Sequence, residues 1–348
     1  MLTRAPMLRL CKILKFSDFL FSKPVLSRFL STSEVLRMEL KEVVKRLEQF
    51  APTSLAGSWD NVGLLLEPMQ KKPVSRLLLT NDLTEPVLEE ALKLEVDMII
   101  SYHPPLFKPM KRLTAENWKE RIVIQCLENK IAVYSPHTAW DAVQGGINEW
   151  LLLPFGPGKS CPCESQVDPS TSSFSIQIPN SQTLICEKRE LEHEFLKIRE
   201  DVRSQVQITK HEPHPRPGVG PGRVSHLESS LRLDEAISKI KEHLKLTHVR
   251  LALANNHTLS SQVSRVGVCA GSGASVLGGV RADLILTGEM SHHEVLDFVH
   301  RGVSVILTDH SNTERGFLTH IRPRLSSLFE DNIQILISTI DRDPLEVV

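Results

Sequence analysis

Apolar residues fall into two spacings along most of the chain. Leu40, Val43, Val44, Leu47 and Phe50 recur as one face of a helix, and Pro52 ends it. Short apolar runs follow at Arg76–Thr80, Asp97–Tyr102 and Ile131–Tyr134, as expected of strands buried on both faces. Between them lie helical segments, one opening at Asp82-Leu83-Thr84-Glu85 and one over Glu116–Glu128. The same succession then returns. Leu233, Ala236, Ile237, Ile240 and Leu244 make a second helical face, and apolar runs stand at Val249–Ala254, Arg265–Ala270, Ala282–Thr287 and Val303–Leu307. A last run, Ile333–Ile337, is expected to close the second sheet. A repeat of this kind predicts an α/β fold of two related lobes, residues 38–153 and 227–348.

The stretch 154–226 breaks the pattern. Nine of the 21 prolines lie between Pro154 and Pro221, among serine- and glycine-rich runs. It reads as an irregular spacer with one amphipathic helix over Glu187–Ser204, carried by Leu191, Phe195, Ile198 and Val202. Cys161, Cys163, His211, His214 and His226 lie in it at spacings that match no standard zinc module. Residues 1–37 differ again. Arg4, Arg9, Lys12, Lys15, Lys23 and Arg28 face a single acid, Asp18, before Glu34, with serines and phenylalanines interleaved. That composition resembles a mitochondrial presequence. A disordered extension, or initiation at Met38 to give a cytosolic form, are the alternatives.

Composition narrows the classes. A formal net charge of −1 provides no global field to attract nucleic acid or a membrane. No stretch approaches the ~20 apolar residues that cross a bilayer. The six cysteines are scattered, which fits a reducing compartment rather than a secreted disulfide framework.

Candidate chemistry gathers where strands end. His310 and Glu314 follow the run ending at Leu307, and His137 and Asp141 follow the run ending at Tyr134. Each pair is four apart, so both members can face one way on a helix and offer a transition metal an imidazole and a carboxylate. His103 stands at the end of a third strand, stiffened by Pro104-Pro105. A structural hydrogen-bond partner is the plainer role for any one of them; two pairs in register favour a metal site in the cleft between lobes. The counterpart of Tyr102-His103 in the second half is Thr287-Gly288-Glu289, with His292-His293 close behind. Glu289 and His293 are candidates to carry protons, and His292 to orient a ligand. Gly271-Ser272-Gly273 reads as a tight turn, with an anion cradle as the alternative.

Several of these stretches together resemble the NIF-three-like family, also known as GTP cyclohydrolase I type 2-like. They are Ser58-Trp59-Asp60-Asn61-Val62-Gly63-Leu64, Tyr102-His103-Pro104-Pro105-Leu106-Phe107, His137-Thr138-Ala139-Trp140-Asp141, Cys269-Ala270-Gly271-Ser272-Gly273, Thr287-Gly288-Glu289 with His292-His293, and His310-Ser311-Asn312-Thr313-Glu314-Arg315. The resemblance implies two three-layer α/β lobes, a dinuclear metal site in the cleft, and homo-oligomers. It makes His103, Asp141, His310 and Glu314 the ligands of one or two divalent ions, of zinc, iron or manganese, with Tyr102, His137 and His292 around them. Bacterial members usually carry His-His where this chain has Tyr102-His103, so Tyr102 replaces one expected ligand, and a phenol with a pKa near ~10 is a poor ligand at neutral pH. The small domain that larger members insert between lobes is expected to be absent or degenerate. For function, the resemblance implies a metal-binding regulatory protein, a transcriptional corepressor of cytoplasm and nucleus working through transcription-regulatory proteins without direct nucleic-acid contact. The alternative is a dinuclear-metal hydrolase or cyclohydrolase acting on a nucleotide-like substrate.

Overall fold

Two parallel-cored sheets share one hydrophobic interior. The computed structural model describes residues 37–70, 72–165, 173–179, 183–187, 191–210 and 218–348. The presequence-like segment, up to residue 36, and His211 and His214 lie outside the described residues.

The strands are β1 (Gly63–Leu66), β2 (Arg76–Thr80), β3 (Met98–Ser101), β4 (Ala132–Ser135), β5 (Gly158–Cys161), β6 (Ser173–Gln177) and β7 (Leu184–Glu187). Then come β8 (Gln207–Lys210), β9 (Arg223–Arg232), β10 (Arg250–Ala252), β11 (Gln262–Ser272), β12 (Leu284–Glu289), β13 (Ser304–Leu307) and β14 (Gln334–Ile337). The helices are α1 (Leu40–Phe50), α2 (Glu85–Lys93), α3 (Trp118–Glu128), α4 (Thr138–Ala142) and α5 (Ile147–Leu152). They continue with α6 (Leu191–Leu196), α7 (Leu233–Leu244), α8 (Ala274–Leu277), α9 (His292–His300) and α10 (Arg315–Leu328).

One sheet runs β1-β4-β3-β2-β14, the other β10-β13-β12-β11-β9-β5. The internal repeat is visible in both. β2, β3 and β4 are parallel, as are β11, β12 and β13, and an antiparallel strand lies on the outer side of β4 and of β13. A helix, α1 or α7, precedes each set.

Side-chain alternation shows why the parallel strands of both sheets are apolar. Leu77, Leu79, Met98, Ile100 and Tyr134 join the central core together with Val266, Val268, Leu284, Leu286 and Ile306 of the second sheet. Leu78, Ile99 and Val133 turn outward onto Val87, Leu88, Ile122 and Val123 of α2 and α3. Ile285, Val305 and Leu307 pack outward with Leu277 of α8 and Phe298 of α9. Each of these parallel strands is therefore buried on two sides.

Three expectations change. The run Ile333–Ile337 forms β14, which pairs in parallel with β2, Ile335 opposite Leu77, and so completes the first sheet rather than the second. The second sheet begins before residue 227, because β5 and the start of β9 belong to it, with Lys159 opposite His226. The spacer also contains an antiparallel sheet, β7-β6-β8, with its own core of Ile176, Cys186 and Ile198 beside Phe174 and Phe195. Its helix is short, Leu191–Leu196, followed by a 3-10 turn at Glu200–Gln205. The alternating Ser173-Phe174-Ser175-Ile176-Gln177 is the strand signal that the surrounding prolines and serines obscured.

Candidate metal centre

The C-terminal ends of the parallel strands of both sheets deliver side chains to one cavity, the position where open α/β sheets place their ligands. After β3 the chain keeps its register for two residues. Tyr102 N–H donates to Thr80 O (2.9 Å) and His103 N–H to Asn81 O (3.0 Å), so Tyr102 turns inward and His103 stands at the edge. After β13, Asp309 takes a left-handed conformation (φ 66°), and a 3-10 turn over Ser311–Thr313 brings His310 and Glu314 together. After β4, His137 adopts φ 33°, an uncommon conformation for a residue with a side chain, and starts α4 with Asp141 on it.

His103 Nε2 lies 3.3 Å from Glu314 Oε2, and His310 Nε2 lies 3.3 Å from Glu314 Oε1. Each of the three residues offers a donor atom, and these lie within 4.8 Å of one another. The Glu314 side chain is only 2 % exposed. Asn81, fully buried, donates from Nδ2 to Glu314 Oε2 (3.1 Å). The other imidazole nitrogens are held by carboxylates: His103 Nδ1 by Asp82 Oδ1 (2.9 Å), His310 Nδ1 by Glu289 Oε1 (2.9 Å) and His137 Nδ1 by Asp60 Oδ1 (2.7 Å). A carboxylate behind the ring fixes tautomer and orientation and raises the basicity of the free nitrogen, as metal-ligating histidines require.

The charges follow from this packing. For His103, burial opposes the charged form, but hydrogen bonds to Asp82 and Glu314 outweigh it and raise its pKa to about 10. The Glu314 hydrogen bond, against burial, raises His310 to about 9. Burial would raise Glu314, yet the two histidines hold it down at about 2. Without a cation, the two imidazolium groups are held between Glu314 and the carboxylates of Asp82 and Glu289; a metal entering here displaces those protons.

The residues fit a divalent ion. Two imidazole nitrogens and a carboxylate suit zinc, iron or manganese. Gly271, at φ 61°, leaves the required space: a Cβ there would stand 2.8 Å from Glu314 Oε1 and 2.9 Å from His310 Nε2. Beside the cluster opens a cavity of about 540 Å³ lined by Trp59, Tyr102, His137, Asp141 and Gly271 among others.

The other sequence candidates are distributed differently. Asp141 shares the cavity but stands outside the three-residue cluster, its Oδ1 accepting the hydroxyl proton of the buried Tyr102. Burial, above all, pushes its carboxyl up to about 6. Glu289 supports His310 from a half-exposed position instead of reaching into the cavity. His292 and His293 open α9 on the exposed side, ring against ring (5.4 Å), and do not line the cavity, because the capping box of Ser291 and Glu294 fixes that turn at the surface.

Four contributors escaped the sequence reading. Asp60 and Asn81 carried no assigned role; Asp82 read as a helix cap although Thr84 is the cap residue, and its position just past β2 was the available signal. Asn148, fully buried, ties the halves together by donating to Asp141 O (3.0 Å) and accepting from Ala270 N–H (2.9 Å).

The profile of the Duf34/NIF3 (NGG1p interacting factor 3) family matches residues 38–344. The chain is 44 % identical to human NIF3-like protein 1, across 89 % of this chain and 93 % of that one. It is 30 % identical to the NGG1-interacting factor 3 of Saccharomyces cerevisiae, across 90 % and 98 %. A Bacillus cereus protein related to NIF3 superposes with a TM-score of 0.71 at 21 % identity, covering 89 % of this chain and 99 % of that one, which shows the shared fold. With its motifs, its repeated α/β halves and these relatives in agreement, the chain belongs to the Duf34/NIF3 family.

Proposed function

We propose that this chain is a divalent-metal-binding regulatory protein that acts on transcription through protein partners, as a corepressor in cytoplasm and nucleus. The observation that carries the metal part is the placement of two histidine Nε2 atoms, each 3.3 Å from a different oxygen of one buried carboxylate. The partner part is supported by the name of the yeast relative, an interacting factor. Among the described residues no helix is long and apolar enough to cross a membrane.

Tethered to a DNA-binding domain upstream of a reporter, the full chain should lower transcription at least severalfold. Unchanged output would contradict the regulatory role. Fluorescence imaging of the full chain beside a form starting at Met38 decides between nucleus with cytoplasm and mitochondrion.

The second reading is a metal-dependent hydrolase for a nucleotide-like substrate, and the cavity beside the cluster favours it. A bound ion would polarise a phosphoryl or carbonyl oxygen or acidify a water. Within the chain, the Asp60–His137 pair is fixed at the cavity wall with its ring 5.4 Å from that of His103, placed to hold a proton beside a ligand. Nucleotide turnover by metal-loaded protein that disappears in Glu314→Gln would make this the better account.

A further inference from the structure

The last residues of the chain pass directly behind the metal cluster. Ser338 N–H continues the pairing of β14 by donating to Leu79 O (2.9 Å). Glu90 of α2 holds the next step: its Oε1 accepts from Thr339 N–H (2.9 Å) and Thr339 Oγ1 (2.6 Å), and its Oε2 from Ser338 Oγ. Asp341 then turns inward, its side chain 3 % exposed. Its Oδ2 accepts from Asn81 N–H (2.7 Å) and its Oδ1 lies 3.3 Å from Arg315 Nη2. Asp343 accepts the hydroxyl proton of Ser311, the neighbour of His310.

Two routes lead from Asp341 to the ligands. On the first, the Asn81 backbone is fixed by Asp341 while its side chain donates to Glu314 Oε2 (3.1 Å). On the second, Arg315, next to Glu314 in the chain, reaches Asp82 Oδ2 (3.9 Å), and Asp82 holds His103 Nδ1 (2.9 Å). Arg315 Nη1 also donates to Ser311 Oγ (2.8 Å). Asp341 thus lies between groups that hold His103 after β3 and groups that hold His310 and Glu314 in the β13–α10 turn, and its own bonds go to Asn81 and Arg315. Partners of this kind commonly set metal affinity by factors of about 10–100.

We propose that Asp341 is a positioning residue of the metal centre and that residues 338–343 clamp the cluster from behind. The inference rests on the metal reading of His103, His310 and Glu314. It makes ion binding depend on docking of the chain's final segment onto the first sheet.

The test titrates the full chain with Co²⁺ and reads both affinity and visible absorption, since the spectrum reports ligand geometry and a loss of general stability alone leaves it unchanged. Asp341→Asn should weaken Co²⁺ affinity about 10–100-fold and alter the bands. Asp343→Asn should weaken it at least threefold and keeps the test open if Asp341→Asn does not fold. Wild-type affinity and spectrum in Asp341→Asn, or unchanged affinity in Asp343→Asn, would overturn the clamp while leaving the metal site intact. A wild-type chain that takes up no Co²⁺ would overturn the metal reading and the clamp with it.

Discussion

The hydroxyl of Tyr102 donates to Asp141 at the inner wall of the cavity, beside the His103–His310–Glu314 cluster but outside it, the Tyr102 ring 5.1 Å from that of His103. The phenol therefore occupies one oxygen of that carboxylate, Oδ1. Burial, then the Asp141 charge, raises the Tyr102 pKa well above its ordinary value, so the proton stays on the phenol at neutral pH. Tyr102→His puts an imidazole beside a released Asp141. It is expected to raise the divalent ions bound per chain from one toward two, as counted by elemental analysis after dialysis; an unchanged count would contradict a blocking role for the phenol.

Gly271→Ala tests the shape of the cradle. The added methyl would press on Glu314 Oε1 and His310 Nε2, and φ 61° disfavours any L side chain. The backbone strain alone is worth about 1–2 kcal/mol. Metal affinity should fall at least tenfold, measured by competition with a chelator, together with a lower unfolding midpoint.

Arg223 gives a prediction about stability. Its side chain is buried, with Nε 2.5 Å from Glu149 Oε1 and the guanidinium donating to the carbonyls of Val143 (3.1 Å), Gly218 (3.1 Å) and Gly222 (2.6 Å). It fastens β9 to the turn between α4, which carries Asp141, and α5, which carries Asn148. Removing the buried Arg223 leaves its acceptor carbonyls desolvated without a donor, a cost of about 1–3 kcal/mol for each such group. Arg223→Ala should therefore lower the urea midpoint sharply; a midpoint within error of wild type would show that the network is dispensable.

The pH dependence has a definite sign. In the metal-free protein, His103 and His310 titrate at about 10 and 9, above their ordinary 6.5. Their contribution to stability is complete below pH ~6.5 and is lost as pH rises through those raised values. Glu314, lowered to about 2, contributes above its ordinary range and loses that contribution only as pH falls through about 2. Metal-free protein should thus become easier to unfold from pH 7 to 10, while apparent metal affinity climbs over the same interval because the imidazolium protons compete with the ion. Urea titrations at a series of pH values, with and without Zn²⁺, check both slopes, and a metal-free midpoint that rises with pH would contradict the assignment.

Much of this arrangement could be read from the chain. Strands buried on both faces reveal themselves as continuous apolar runs, and the repeat of helix and strands located β2–β4 and β11–β13. The His-to-acid spacings located His310 with Glu314, because a short turn after a strand keeps residues four apart together. What failed depended on contacts between distant segments. β14 is apolar enough for either sheet, and only its packing beside β2 decides which. Asp341 is an unremarked acid near the C-terminus until that pairing delivers it to Asn81. His292 and His293 are the local exception: they had the right residue types at a strand end, but the cap of α9 beside them turns them outward.

The central claim is that His103, His310 and Glu314 together hold one divalent ion. Elemental analysis of wild-type protein beside Glu314→Gln and His310→Ala, each loaded with Zn²⁺ and dialysed identically, tests it most directly. The account predicts about one ion per wild-type chain and background levels in both variants. Equal metal content in all three proteins would contradict it.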